Sequence, residues 1–443
     1  MANRKRVAAL TALAASAAML LASCSGSDES PSVSATGAAP VTLTWWHNNI
    51  AADNGENPGG DYWQKVADDY TALNPNVTIE IEQIETNDLQ RTRVPAALQS
   101  GDAPDIFQAW GGGEMVQQVE AGYLLNLSEL IPDTIAEMGG GGAPWTVDGV
   151  AYGVPYTFGV EGIWYRKSLF EQAGITAEPK TFDELGDAVQ KLKDADIVPI
   201  AVGAGDKWPA AHWWYNFALR SCAEGVIPAS GKSFDFSDPC YVTAGEDLIS
   251  FIATAPFQPQ FTATQAQQIP TSSAGLVATG VAAMELMGHW NLGVYRGFGA
   301  DDAAKQAIED DLGWMPVPAT SSGKGDPTAA LGGGDGFACY KDAPVECADF
   351  LAYLVSADVQ KGYAGIEGSP LPANPNAASA VASPLMAEIA AVAGTAAYTQ
   401  QWLDTTYGTN VGGAMNDAIV AIFAGTGSAQ NVVDLMTAAA ATQ

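Results

Sequence analysis

Between residues 41 and 109 the spacing of apolar positions changes period from one segment to the next. Val41, Leu43 and Trp45 alternate with polar or outward positions, which predicts a strand with one buried face. Tyr62, Trp63, Val66, Tyr70 and Leu73 then recur at helical spacing, with Asp61 placed to cap the helix. Val77, Ile79 and Ile81 alternate again. Leu89 to Leu98 has helical composition, with a kink or break expected at Pro95. Pro104 leads into a short strand at Asp105-Ile106-Phe107. Strand, helix, strand, helix, strand is the order of a parallel α/β sheet. Ligands of such sheets bind beyond the carboxyl ends of the strands. Those ends carry Trp46-His47-Asn48-Asn49 and Trp110-Gly111-Gly112-Gly113-Glu114, each an aromatic ring beside polar groups.

Further on, Tyr152 to Phe158 runs into an apolar strand and the amphipathic segment Lys167 to Ala173. Thr181 caps a helix reaching Lys193, with Asp183 and Glu184 at its start and Lys191 and Lys193 at its end, as the helix dipole prefers. Residues 371–443 are Ala-rich and helical in pattern. No fixed-period repeat and no long linker divides 41–443. Two lobes built from this stretch must share chain crossings rather than follow one another.

The amino terminus adds an address. Met1–Ser23 reads as a secretory leader, with Arg4-Lys5-Arg6 ahead of the apolar run Val7 to Ala22. Leu21-Ala22-Ser23-Cys24 has the form of a lipobox, which makes Cys24 the lipidated residue and 24–40 a flexible Ser/Gly/Ala/Pro-rich tether. The net charge of −31 becomes −34 once the three basic leader residues are lost. So acidic a chain cannot exchange basic side chains for phosphate counterions, which argues against nucleic acid, and it gains no electrostatic hold on an anionic membrane. Contact with the membrane is then through the lipid alone, and neutral or cationic small molecules or a neutral polymer remain as ligands.

Of the five cysteines, four remain after Cys24. Export permits disulfides. Three pairings are open, and the local ones, Cys222–Cys240 and Cys339–Cys347, are favoured because each joins one polar, turn-rich segment. There is no CxxC, and His47, His212 and His289 are scattered, so no metal site is expected. Asp53 to Asn57 is rich in oxygen ligands but lacks EF-hand spacing and reads as a solvated loop.

Catalytic signatures fail one by one. Gly231-Lys232-Ser233 lacks the Walker glycine, since Val226 stands in its place, and Ser273 lacks the nucleophile-elbow glycine at Thr271. No dinucleotide fingerprint or HExxH occurs. No catalytic residue is therefore assigned and no cofactor is expected. A lipid-anchored glycoside hydrolase remains the alternative, because two carboxylates at a set separation leave no sequence signature. Tryptophan, in contrast, is abundant at 12 residues, and Trp46, Trp110, Trp208, Trp213, Trp214 and Trp290 stand near Gly, His, Asn or Asp. A sugar ring offers a C–H face for an indole and a rim of hydroxyls for polar partners. Trp45 shares a strand face with Leu43 and belongs to the core, whereas Trp46 points the other way. His212 and Trp213 lie in an aromatic run that packs a helix equally well.

Three segments resemble the family-1 extracellular solute-binding proteins of bacterial ABC sugar importers. They are Ala103-Pro104-Asp105-Ile106-Phe107, Tyr152-Gly153-Val154-Pro155 leading to Trp164-Tyr165-Arg166-Lys167, and Gly280-Val281-Ala282-Ala283-Met284 leading to Gly288-His289-Trp290. A narrower resemblance, to actinomycete xylobiose-binding lipoproteins, rests on Thr44-Trp45-Trp46-His47-Asn48, Trp110 to Glu114, Asp206-Lys207-Trp208-Pro209, Gly332 to Gly336 and Thr409 to Gly412. The paired cysteines match it too. The chain departs from that pattern at Lys207, where Arg is expected, and at His289, where Asp is expected.

The resemblance implies a two-lobed α/β fold of the periplasmic-binding-protein type, with crossings near 152–158, 288–293 and 336–341. Lobe one would hold 41–152 with 292–337, and lobe two 153–291 with 338–443. A neutral oligosaccharide, xylobiose or a xylo-oligosaccharide, would bind between them on Trp46, Trp110, Trp208 and Trp290. His47, Asn48, Glu114, Lys207, His289 and Asp335 would serve hydroxyls, and Gly111 and Gly334 would let backbone amides approach. Hinge closure would deliver the sugar from a monomeric, lipid-anchored receptor on the outer face of the cell membrane to an ABC permease.

Overall fold

The computed structural model describes residues 39–50, 58–321 and 323–442. The leader, the lipidation of Cys24, most of the tether and the loop Asp53 to Asn57 lie outside the described residues. Among the described residues, no helix is long and apolar enough to cross a membrane.

The alternation read from 41–47 and 77–83 is realised as β1 (Val41–His47) and β2 (Val77–Gln83), paired in parallel, with β3 (Ile106–Ala109) on the other side of β1. The helix between β1 and β2 spans Pro58–Leu73, so Asp61 sits in its first turn rather than at its cap. Pro95 marks a change of winding: a π-turn at Leu89–Arg93 gives way to the helix Val94–Ser100. Thr181 caps Phe182–Asp194 as expected, its hydroxyl accepting from the Glu184 N–H at 3.2 Å.

After a small hairpin, β4 (Thr146–Val147) and β5 (Val150–Ala151), come β6 (Gly153–Pro155) and β7 (Gly159–Arg166). Then follow β8 (Val198–Ile200), β9 (Ala282–Gly288), β10 (Leu312–Met315), β11 (Ala330–Gly333), β12 (Gly336–Cys339) and β13 (Thr399–Gln401). Two larger sheets result. The first has the order β2-β1-β3-β12-β6; the second has β13-β11-β7-β9-β8, with β10 also on β7. This is a mixed α/β chain with one sheet at the heart of each of two lobes.

The strand pairing corrects the expected lobe boundaries. Strands β10 and β11 fall within 292–337, expected in lobe one, yet both pair with β7 of the second sheet. The helices of 291–311 follow them, with Tyr295 edge-on to Trp164 at 5.5 Å. Residues 346–364, expected in lobe two, cover the first sheet instead. Phe350 meets Trp45 edge-on at 5.3 Å and Tyr363 packs on Trp63 at 4.8 Å. The chain thus crosses at 156–158, at 334–335 and again at 381–383, since Asn374 and Asn376 still bond Val355 and Glu137 of the first lobe; the crossing expected at 288–293 lies inside the second lobe.

Both local disulfides are present, Cys222–Cys240 and Cys339–Cys347, with Cα atoms 4.9 and 6.2 Å apart. The lobes also touch directly. The helix Gly112–Glu120 of the first lies on Leu403–Phe423 of the second, so closely that a Cβ on Gly113 would meet the Thr406 carbonyl at 2.2 Å.

Candidate functional site

The crossings at 156–158 and 334–335 run side by side with the segment 371–373. The N–H groups of Tyr156 and Thr157 donate to the Asp335 carbonyl at 2.8 and 3.2 Å, Phe158 N–H donates to Leu371 O, and Ala373 N–H donates to Tyr156 O. Gly334 permits this closeness, because a Cβ there would stand 1.9 Å from the Thr157 carbonyl. Over the crossings opens a cleft of about 330 Å³, which shares a wall with a recess of about 120 Å³.

The floor is polar and joined into a network. Asn49 Nδ2 donates to the Tyr156 hydroxyl at 2.9 Å, Tyr156 reaches Asp335 Oδ2 at 3.4 Å, and the Trp110 indole bonds the same carboxyl. Burial pushes the Asp335 carboxyl up to about 7, against the opposing pull of those two donors. Burial, aided by the Asp335 charge, likewise holds the Tyr156 hydroxyl well above its ordinary range. Asn48 is oriented from both ends: its N–H donates to Gln108 Oε1 and its Nδ2 to Thr86 Oγ1, at 3.0 and 3.1 Å.

The walls are indole. Trp290 and Trp402 meet at 5.6 Å and 75°, and Trp208 stands 6.4 Å from Trp290. Two glycines seat these rings: a Cβ on Gly288 would lie 1.9 Å from the Trp290 ring, and one on Gly333 would lie 2.6 Å from Trp402. No Lys or Arg lines the cleft or its recess among the described residues.

Of the residues singled out in the sequence, Asn48, Trp110, Trp208, His289, Trp290, Gly334 and Asp335 meet at this cleft. Five do not. Trp46 is covered by Arg93, whose guanidinium lies 4.6 Å from the ring centroid. His47 is buried edge-on to Trp45 and accepts the Asn49 N–H; burial pushes its pKa down to about 3. Gly111 packs against the Pro144 carbonyl, 2.6 Å from where a Cβ would stand, with a φ of +71° that also favours glycine. Glu114 is buried and accepts from Gln90 Nε2 at 2.9 Å. Lys207 turns outward to pair with Asp417. His289 is at the cleft but is engaged with the crossings. The Thr157 hydroxyl donates to Leu371 O at 2.7 Å, so it accepts from His289 Nε2–H at 3.1 Å. The imidazole is neutral, burial having pushed its pKa down to about 3.

Sequence reasoning passed over Trp402, Tyr156, Thr157 and Asn49. Trp402 has Asp404 two residues on, as Trp208 has Asp206 two residues back; that neighbourhood signal was present but did not by itself mark a ligand-facing ring. Tyr156 and Thr157 lay within a recognised crossing, and a crossing necessarily lines the space between the lobes. That was the signal available. Trp213 and Trp214 are fully buried and belong to the core.

A cleft of indoles and hydrogen-bonding groups over the chain crossings, with no Lys or Arg lining it among the described residues, defines a capture site for a solute. The comparisons agree with that class. Residues 53–361 match the bacterial extracellular solute-binding protein model, and the chain belongs to this family of substrate-binding proteins, which are not enzymes. The diacetylchitobiose-binding protein DasA of Streptomyces coelicolor is 25% identical over 371 residues, 79% of this chain and 77% of that protein. Another curated relative is spanned over only 58% of its length. Among solved structures, a chitin oligosaccharide binding protein superposes with a TM-score of 0.80 at 24% identity, covering 90% of this chain and 98% of the other. A structure from work on xylan utilization by Caldanaerobius polysaccharolyticus gives 0.79 at 24% identity, covering 90% and 99%.

Proposed function

We propose that the chain is the extracellular receptor of an ABC sugar importer and captures a neutral oligosaccharide, xylobiose or a xylo-oligosaccharide, between its lobes. The observation that carries this reading is the set of Trp208, Trp290 and Trp402 around a floor of Asn48, Asn49, Tyr156 and Asp335, with no Lys or Arg in the lining. Indole faces suit the C–H faces of sugar rings, and amides and hydroxyls suit their rims; an anionic ligand finds no counter-charge. Lipidation at Cys24, residence on the outer face of the membrane, a monomeric state and delivery to a permease belong to the same proposal. So do lobe limits of about 41–155 with 336–380, and 159–333 with 384–443, which follow the two sheets.

A specific feature supports a second reading, an N-acetylated chito-disaccharide. Ile50, Val294 and Phe298 add apolar surface to the lining, which suits an acetamido methyl. Titration calorimetry of residues 41–443 with xylobiose, diacetylchitobiose, cellobiose and maltose, followed also by tryptophan fluorescence, decides between them. Saturable binding of xylobiose without release of reducing sugar is the expected result. Preference for diacetylchitobiose selects the second reading, and turnover of any of these sugars overturns the receptor assignment.

A further inference from the structure

The ligand-facing indole Trp402 is held from behind. Its Nε1–H donates to Glu161 Oε1 at 2.6 Å. The same oxygen lies 2.7 Å from Nδ1 of His212, a second ring of the recess wall. Trp402 and His212 stand nearly parallel, 7° between planes and 6.5 Å between centroids. Glu161 comes from β7, two residues into the strand that follows the first crossing, and its side chain has no exposure to solvent. Behind it, Asn216 Nδ2 reaches Oε2 at 3.5 Å, while Asn216 is itself fixed by donating to the His212 carbonyl at 3.0 Å. Trp402 needs such a tether. It precedes the helix Leu403–Phe423 with φ −47° and ψ 135°, outside the helix, and its six-membered ring packs on Gly333, 2.6 Å from where a Cβ would stand. The indole hydrogen bond fixes which way its Nε1 edge faces.

We propose that Glu161 is a positioning residue for ligand recognition: it never touches the sugar but sets the orientation of Trp402, with the His212 ring close beside the same carboxyl. A carboxylate suits this role because one oxygen accepts from Trp402 and the other from Asn216, whereas an amide keeps a single, uncharged acceptor oxygen and sets its NH₂ against the other donor. The proposal rests on the saccharide reading and refines it, since it makes the recess a stacking subsite of fixed angle.

The test is a double-mutant cycle with a ligand-free readout. Glu161→Ala is expected to weaken binding of the sugar that the wild type prefers by about tenfold or more, as for a lost charge-assisted hydrogen bond. Glu161→Gln, which keeps the size, is expected to weaken it less. Trp402→Phe removes the donor. In that background, the effect of either Glu161 substitution is expected to shrink to about threefold or less, the coupling expected of groups that act as a unit. In ¹⁵N-labelled, unliganded protein, the Trp402 indole proton is expected to resonate downfield and exchange slowly, and to lose both properties in Glu161→Gln. Wild-type affinity in the Glu161 variants, or effects that simply add in the Trp402→Phe background, overturn the proposal. Should no sugar bind the wild type, the saccharide reading fails by itself. The indole spectrum then decides the role of Glu161, and an unmoved Trp402 resonance in Glu161→Gln overturns it.

Discussion

At the scale of single residues, the cleft separates side chains that face the ligand from side chains that only share its sequence neighbourhood. Trp290 and Trp402 present rings seated on glycines, while Lys207 spends its charge on Asp417 at the surface. Trp290→Ala and Trp402→Ala are each expected to raise the sugar Kd by about tenfold to a hundredfold, in the range of buried aromatic anchors. Lys207→Ala is expected to change it by less than about twofold, as for an exposed ion pair. Calorimetry on the three variants checks this, and a large loss in Lys207→Ala contradicts the geometry. Legibility in the sequence also differs residue by residue. Asn48 could be read because a strand end places it by topology, Trp290 because it is an indole beside polar residues, and Asp335 only through the resemblance. Trp46 could not be excluded, because alternation gives its face but not the Arg93 that covers it. Trp402 could not be found, because what makes it a site residue is Gly333 and Glu161, both distant in sequence.

At the scale of elements, the early β1-helix-β2-helix-β3 run was legible because its periodicity is local, while the membership of 292–364 was not. An amphipathic helix shows which face is buried but not against which sheet; Phe350 on Trp45 decides that, across some three hundred residues of chain. The same limit hid Glu285 on β9. Its carboxyl accepts from Tyr295 OH at 2.7 Å and Asn291 Nδ2 at 3.2 Å, while Asn291 Oδ1 accepts from Gln267 Nε2 at the cleft. Burial nevertheless pushes the carboxyl up to about 8, against the pull of these donors and of Ser273. From the ordinary glutamate range to about pH 8, the folded chain holds a proton that the unfolded chain has released. Stability from this group is therefore present at low pH and falls as pH rises through that window, by at most about 1.4 kcal/mol for each pH unit crossed. Glu285→Gln is expected to flatten this share. Thermal melting from about pH 4 to about pH 9, a range that brackets the window, should show wild type losing more Tm than the variant across it. Parallel curves would sink the argument.

At the scale of the whole molecule, the two lobes are held against each other by a small number of polar ties as well as by the crossings. Arg91 of the first lobe pairs with Asp404 of the second at 2.8 Å, and Gln401 Nε2 donates to the Trp110 carbonyl at 2.7 Å. Trp110 brings its indole from the first lobe to Asp335 and to the recess where Trp208, Trp290 and Trp402 wait on the second. The aromatic site is therefore complete only when the lobes are together. A ligand shifts a two-state equilibrium only by its differential affinity for the two states, and a sugar that needs both walls has that difference built in. Saturating sugar is expected to reduce the radius of gyration in solution scattering and to raise Tm with ligand concentration. Asp404 is buried, so removing Arg91 takes away its cationic partner and leaves its carboxylate with two neutral donors, the Thr405 N–H at 2.9 Å and the Asn416 amide at 3.2 Å. Arg91→Ala is expected to favour the parted lobes, with a larger unliganded radius and a faster sugar off-rate, while the closed, liganded radius stays that of wild type. An unliganded radius unchanged by both sugar and Arg91→Ala would mean that the lobes do not part, and that the sugar enters a cleft already formed.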